Sequence, residues 1–139
     1  MNLPEFNVGM SKSVQKVITR EDTAFNYGSG ALKNLMATPI LAALMIEAAV
    51  NTIDPLLPED YITIGRKIEI EHLCPTKEGM EVYVTAKLVE VNKNTLFFEI
   101  TAYDEVGIIG RGYHERQIVN NNILMEKVDE RFNIVESRP

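Results

Sequence analysis

The sequence has no tryptophan and a single cysteine, Cys74. One cysteine excludes an internal disulfide, so nothing points to an oxidising compartment. Positive charge is also scarce: 14 Lys and Arg stand against 20 Asp and Glu, a net charge of −6. That balance argues against general nucleic-acid binding, which needs a positive field. It leaves room for an anionic ligand held by a local basic cluster. The opening residues, MNLPEFNVGMSKSVQ, do not put a long apolar run behind a basic start, so no signal peptide is expected. The longest helix-like apolar stretch, Ile40 to Val50, reads as too short to span a bilayer. The expectation is a cytoplasmic protein without a membrane segment. The histidines, His72 and His114, are far apart in sequence, and Cys74 completes no ligand spacing, so no metal set is read. Gly28-Ser29-Gly30 lacks the lysine and the spacing of a phosphate-binding loop and reads as a flexible connection.

What is present is patterned. The 139 residues suit one domain, with a core at about 13–120 and a tail at 121–139. Ser13 to Thr19 reads as a short strand, and Glu21-Asp22-Thr23 as a turn or helix start. Residues Ala37 to Val50 read as a helix: Thr38 suits the N-cap, Pro39 the first helical position, and Ala, Leu and Met the interior. Glu47 is the one charge from Ile40 to Val50, so the helix is expected to be buried all round, ending at Asp54-Pro55. Its lone carboxylate should then be paired, hydrogen-bonded or protonated.

From Tyr61 the period becomes two. Ile62, Ile64, Arg66, Ile68, Ile70 and His72 share one face of a strand running to His72. After a turn at Pro75 to Gly79, Met80, Val82, Val84, Ala86 and Leu88 line a third strand. A hairpin at Asn92-Lys93-Asn94 leads to Leu96, Phe98, Ile100 and Ala102 in a fourth. Asp104 to Gly107 turns into a fifth, Ile108 to Asn120. One face of the fifth carries Gly110 and Gly112, which a strand tolerates where another backbone comes close. A helix lying on the sheet supplies that neighbour. A short amphipathic helix is expected in the tail, around Leu124 to Phe132. Consecutive hairpins make an antiparallel sheet, and one apolar helix calls for that sheet to wrap around it. The fold class is therefore α+β, a hotdog fold with an antiparallel sheet around one long central helix. A single copy leaves a sheet edge open, so a homodimer is expected.

Three blocks of residues carry a resemblance: Ala37-Thr38-Pro39 with Ala43-Leu44-Met45; Gly65, His72 and Gly79-Met80-Glu81-Val82; and Ile109-Gly110-Arg111-Gly112-Tyr113-His114-Glu115-Arg116. In this order the chain resembles the fluoroacetyl-CoA thioesterase-like hotdog proteins over roughly residues 14 to 120. The resemblance implies an enzyme that hydrolyses acyl-CoA thioesters with a Thr, a Glu and a His and needs no dissociable cofactor. The Thr falls on Thr38 and the His on His72. The carboxylate does not match: its place after the Leu-Met pair is Ile46, and Glu47 comes one residue later, about 100° around the helix. Gly65 and Arg116 fall where the family has positions near the acyl pocket and are candidate substrate contacts.

The chemistry fits those residues. Thioester hydrolysis needs a base, and imidazole titrates near neutrality. Thr38 can cap the helix, attack the thioester carbonyl or orient water, and a nucleophilic hydroxyl needs a base beside it. The amides of Ile40 or Leu41, or of a nearby loop, are candidate donors to a developing oxyanion. Cys74 reads as a small, mostly buried hydrophobe rather than as a thiol activated by His72, and His114 as structural. The leading reading is an acyl-CoA thioesterase for a small or medium acyl group, with Thr38, His72 and Glu47 as catalytic candidates. A non-catalytic acyl-CoA or small-ligand binding module is the alternative. A dehydratase pairing a histidine with Glu47 is a weaker third.

Overall fold

The computed structural model describes residues 3–28 and 30–138. Ser29, in the Gly28-Ser29-Gly30 connection, lies outside them. The chain forms β1 (Ser11–Val17), α1 (Thr38–Ile53), β2 (Tyr61–His72), β3 (Glu81–Asn92), β4 (Thr95–Tyr103), β5 (Ile108–Asn120) and α2 (Asn121–Glu136). The five strands make one antiparallel sheet in the order β1-β3-β4-β5-β2. The sheet curls around α1 as a half-barrel, which is the expected hotdog. The middle strands follow the expected alternation closely: Val82, Val84, Ala86 and Leu88 of β3 and Leu96, Phe98 and Ala102 of β4 are fully buried. Burying a side chain the size of Phe98 contributes roughly 1.5–3 kcal/mol.

Several local expectations change. β1 lies two residues earlier than its propensities suggest, because its register is set by pairing with β3, from Ser11 opposite Lys87 to Val17 opposite Glu81. Glu21 and Asp22 lie in a 3-10 turn, Arg20–Asp22, and Thr23 links it to a second, Ala24–Asn26. β2 does not keep one apolar face. A register shift between Gly65 and Lys67 turns Arg66 outward and puts Thr63 on the buried side with half-buried Ile68, Ile70 and His72. A second irregularity, between Ala102 and Tyr103, places Ile109 inside the core and leaves Ile108 exposed. The tail helix is longer than expected. Beyond its cap at Asn120 and the bond from Asn121 N–H to Asp60 O, 2.7 Å, it stands off the body with Val128 and Phe132 exposed.

α1 also departs from the expectation that it is buried all round. Leu41, Leu44, Met45, Ala48, Ala49, Thr52 and Ile53 are buried. Ala43, Glu47 and Asn51, spaced by four, form an exposed stripe. A five-stranded half-barrel covers only one side of a helix. The length argument changes too. With the 3-10 turn Asp54–Leu56 the helical run covers 19 residues at mean hydropathy 1.3, which is long and apolar enough to cross a bilayer. Its packing against all five strands, not its length, marks it as the core helix.

The two glycines of β5 set how close that helix lies. A Cβ at Gly110 would stand 2.9 Å from Glu71 O and 3.0 Å from Leu41 Cδ2. A Cβ at Gly112 would stand 2.8 Å from Met45 Sδ. Gly110→Ala is therefore expected to lower unfolding stability by about 1–3 kcal/mol, measured by urea titration. Gly107→Ala, at a turn position where a Cβ meets nothing within 4 Å, serves as the near-neutral control.

Candidate active site

α1 begins one residue later than a Thr38 cap would require. Ala37 is the N-cap, Thr38 the first helical residue, and no side chain caps the helix. Thr38 Oγ1 is thereby free of backbone duty. It lies 2.9 Å from His72 Nδ1. His72 is the last residue of β2, where the strand comes level with the start of α1. The base that a nucleophilic Thr38 needs beside it is thus within reach in the same chain. The contact suits either ring tautomer: the hydroxyl donates to a bare Nδ1 or accepts from Nδ1–H. His72 Nε2 is buried and has no hydrogen-bond partner among the described residues. Burial holds the His72 pKa below its ordinary value of 6.5, with no carboxylate opposing the shift.

The pair borders a cavity of about 260 Å³, walled also by Ala24, Leu32, Leu35, Met36 and Pro75. Apart from Thr38 and His72 the lining side chains are apolar, as in small-molecule sites generally. The amide donors differ from those expected. Ile40 and Leu41 both direct their N–H to Ala37 O, at 3.0 and 3.3 Å. Pro39 has none. Thr38's own N–H is the amide of this first turn that bonds no oxygen among the described residues, and it sits on the positive end of the helix dipole.

The other candidates do not join the pair within one chain. Glu47 is exposed on the open stripe, nine residues beyond Thr38 and so about 13.5 Å further along the axis. Among the described residues it makes no salt bridge with Arg66 or Arg116. Its expected burial fails because the half-barrel leaves that side of α1 open. Ile46 is half-buried. Gly65 and Arg116 face each other across β2 and β5, seven residues from His72, or about 23 Å along the strand. There Arg116 is buried. Its Nε donates to Thr63 Oγ1 at 2.8 Å, its Nη2 to Thr63 O at 2.8 Å, and its Nη1 lies 3.1 Å from His114 Nε2. His114 Nδ1 lies 2.8 Å from Lys67 O. A carbonyl only accepts, so Nδ1 carries the proton and Nε2 receives the arginine N–H. Burial lowers the His114 pKa, the Lys67 carbonyl opposes this, and Arg116 adds to the lowering. Thr63 in turn donates to Asp54 Oδ1 at 2.5 Å. This network fits the structural part expected of His114. Cys74 is exposed rather than buried. β2 has ended at His72, so the face rule that would bury Cys74 no longer applies.

The chain as a whole can now be compared with known proteins. The model of the fluoroacetyl-CoA-specific thioesterase family matches residues 18–122. The chain belongs to that family. The fluoroacetyl-CoA thioesterase of Streptantibioticus cattleyicolor is 33% identical over 94 residues, covering 68% of each protein. A hot-dog-like protein from Thermanaerovibrio acidaminovorans superposes with a TM-score of 0.87 at 31% identity, over 91% of this chain and 93% of that one. A variant of the fluoroacetyl-CoA thioesterase solved in complex with acetyl-CoA gives 0.84 at 26% identity, over 91% and 98%. Membership in this thioesterase family makes the chain a thioester hydrolase. The hydrogen bond from Thr76 Oγ1 to Asp104 Oδ2, 3.0 Å, in the loop that leaves His72 went unread in the sequence. Thr76 and Asp104 look there like ordinary turn residues.

The histidine environments give a sign for pH dependence. Each folded pKa is depressed, so each ring contributes stability that is complete above the unfolded value near 6.5 and is lost as pH falls through the folded value. NMR titration is expected to put both midpoints below 6.5. A His72 midpoint above it would mean that a carboxylate reaches the ring.

Proposed function

We propose that this protein is an acyl-CoA thioesterase that hydrolyses a small or medium acyl-CoA to the free acid and CoA, with Thr38 and His72 as its catalytic pair. The observation that carries the reading is the 2.9 Å contact between Thr38 Oγ1 and His72 Nδ1 in the lining of a cavity with otherwise apolar side chains. The thioester carbonyl enters at the start of α1. His72, neutral at pH 7, takes the Thr38 proton as the hydroxyl attacks the carbonyl carbon. The carbonyl oxygen becomes an oxyanion facing Thr38's own amide and the helix dipole. Such a donor typically contributes about 2.7–4 kcal/mol. Collapse breaks the C–S bond, and the proton on His72 passes to the departing CoA thiolate. His72 then draws a proton from water as it attacks the threonyl ester, and collapse breaks the bond to Thr38 Oγ1, which takes that proton back from His72 as the acid is released. No dissociable cofactor enters these steps.

The whole chain, residues 1–139, acts in this reading as one hotdog unit in a cytoplasmic homodimer, without membrane or nucleic-acid partners. β2 supports the dimer: it is an edge strand of 12 residues with one side unpaired, flanked by the open stripe of α1. Two β2 strands paired antiparallel bring the Gly65–Arg116 region of one subunit toward the other's Thr38 and His72. The substrate contacts expected of Gly65 and Arg116 would then be made across the seam. Glu47 belongs to that seam rather than to the pair. The same offset weighs against a dehydratase built on His72 and Glu47.

One observation favours the non-catalytic binder: Ile46 stands where the family has its carboxylate, and no carboxylate meets His72 within the chain. Thiol release from a panel of acyl-CoAs separates the two. His72→Ala is expected to lower kcat/KM on short acyl-CoAs by about a hundredfold or more with the circular dichroism spectrum unchanged. Equal turnover by parent and mutant would remove His72 from the mechanism, and saturable binding with no thiol release would make the protein a binder. Sedimentation is expected to show a dimer at micromolar concentration.

A further inference from the structure

Thr38 and His72 are fixed relative to one another by backbone that neither residue owns. The strap Asn34 to Ala37 leads directly into Thr38, and it is held on both sides. On one side Ala24 N–H donates to Leu35 O at 2.9 Å, and Ala37 N–H to Asp22 O at 2.8 Å. On the other Met36 N–H donates to Thr76 O at 2.8 Å, and Glu78 N–H to Asn34 O at 2.8 Å. Isolated bridges pair Thr23 with Met36 and Leu35 with Lys77. The strap is thus the middle rail of a three-rail patch.

The rail at residues 76–78 belongs to the loop that leaves His72. A closed circuit results: from His72 through residues 73–75 to Thr76, across Thr76 O to Met36 N–H, through Ala37 to Thr38, and from Thr38 Oγ1 back to His72 Nδ1. Thr76 is fully buried. Its Oγ1 donates to Asp104 Oδ2 at 3.0 Å. Asp104 is fastened in turn, its Oδ1 accepting Val106 N–H at 2.8 Å and Gly107 N–H at 3.2 Å. Leu73 and Cys74 both donate to Ile109 O, at 2.7 and 3.1 Å. The loop leaving His72 is therefore pinned to the β4–β5 turn on the next hairpin, and the side-chain bond that joins loop to turn is Thr76 to Asp104.

We propose that Thr76, anchored by Asp104, is the positioning residue of this site: it sets the separation of Thr38 and His72 without touching substrate. The proposal rests on the reading of that pair as catalytic. Deleting the Thr76 hydroxyl leaves these backbone bonds in place but removes the side-chain tie between the loop and the β4–β5 turn. Misplacement of reacting groups by about 1 Å can cost about a hundredfold in rate, so a loosened pair loses turnover before it loses substrate affinity.

The full-length protein serves for the test, with Thr76→Val, Thr76→Ser and Asp104→Ala compared with the parent. Thr76→Val keeps the shape and removes the hydroxyl. Its kcat on a short acyl-CoA is expected to fall about tenfold or more, with KM within about twofold and a circular dichroism spectrum like the parent's. Thr76→Ser restores the hydroxyl and is expected to restore kcat to within about twofold, while Asp104→Ala reproduces the loss. The independent readout is the ¹⁵N shift pair of the His72 ring, which reports whether Nδ1 still meets the Thr38 hydroxyl. It should change in Thr76→Val and Asp104→Ala and not in Thr76→Ser. A folded Thr76→Val with parental kcat and parental ring shifts overturns the proposal. So does a joint fall in kcat, affinity and melting temperature that serine does not rescue, which is the mark of a merely structural residue. If the parent releases no thiol from any acyl-CoA, the functional reading fails by itself. The ring shifts then decide the clamp alone: changed in Thr76→Val they support it, unchanged they refute it.

Discussion

The close approach of α1 to β5 at Gly110 is the constraint on which the site depends. Gly110 is the register partner of His72 in the β2–β5 ladder. The space left by its missing side chain is filled by Leu41, three residues after Thr38, and by the Glu71 carbonyl. One empty Cβ position therefore fixes two heights at once: the level of the first helical turn above the sheet and the level of the last residue of β2. Raise the helix by a methyl group and Thr38 leaves the reach of the imidazole. The core below, from Met45 to Phe98, supplies the apolar energy that drives the helix into this gap. Hydrophobic burial, which has no direction of its own, becomes directional through a backbone that lacks a side chain at one point.

The sequence was legible where periodicity meets a simple covering surface. β3 and β4 lie mid-sheet with one face on α1, so alternation is nearly enough to define them. It failed at the margins. β2 is an edge strand, and its bulge at Gly65–Lys67 exchanges the faces on either side, which no alternation count can report. The exposed stripe Ala43, Glu47 and Asn51 looked like core because composition counts apolar residues and says nothing about how much sheet is available to cover them. Thr38 was legible as a residue at a helix start, but its role was not. Capping and chemistry compete for one oxygen, and a single residue of helix phase, set by Ala37 acting as N-cap, takes capping away from it.

The two histidines show how one shift arises from two settings. Both rings are held toward neutrality by burial. His114 has both nitrogens engaged, one by Lys67 O and the other by Arg116, so its tautomer is fixed and it has no proton to exchange without breaking a buried network. His72 has one nitrogen on a hydroxyl and the other buried without a partner. A depressed pKa alone would not distinguish them; the hydrogen-bond inventory does.

The missing carboxylate bears on how such a pair can work. In a hydrolytic triad the acid does two jobs: it orients the imidazole, and it stabilises the imidazolium that forms when the base takes its proton. Orientation can be supplied here by backbone, because the strap and the loop leaving His72 are locked together around the pair. Stabilisation cannot, since among the described residues no carboxylate meets the ring and burial works against the cation. With no carboxylate of the described residues on the ring, the favourable charge nearest a transient imidazolium would be the oxyanion formed in the same step. The two charges would appear and vanish together, so the site would stay neutral in its resting state and remain polarised only while the carbonyl is tetrahedral. Such a pair holds its reactivity in the complex rather than in the free enzyme, which is the condition under which binding energy is spent on the transition state.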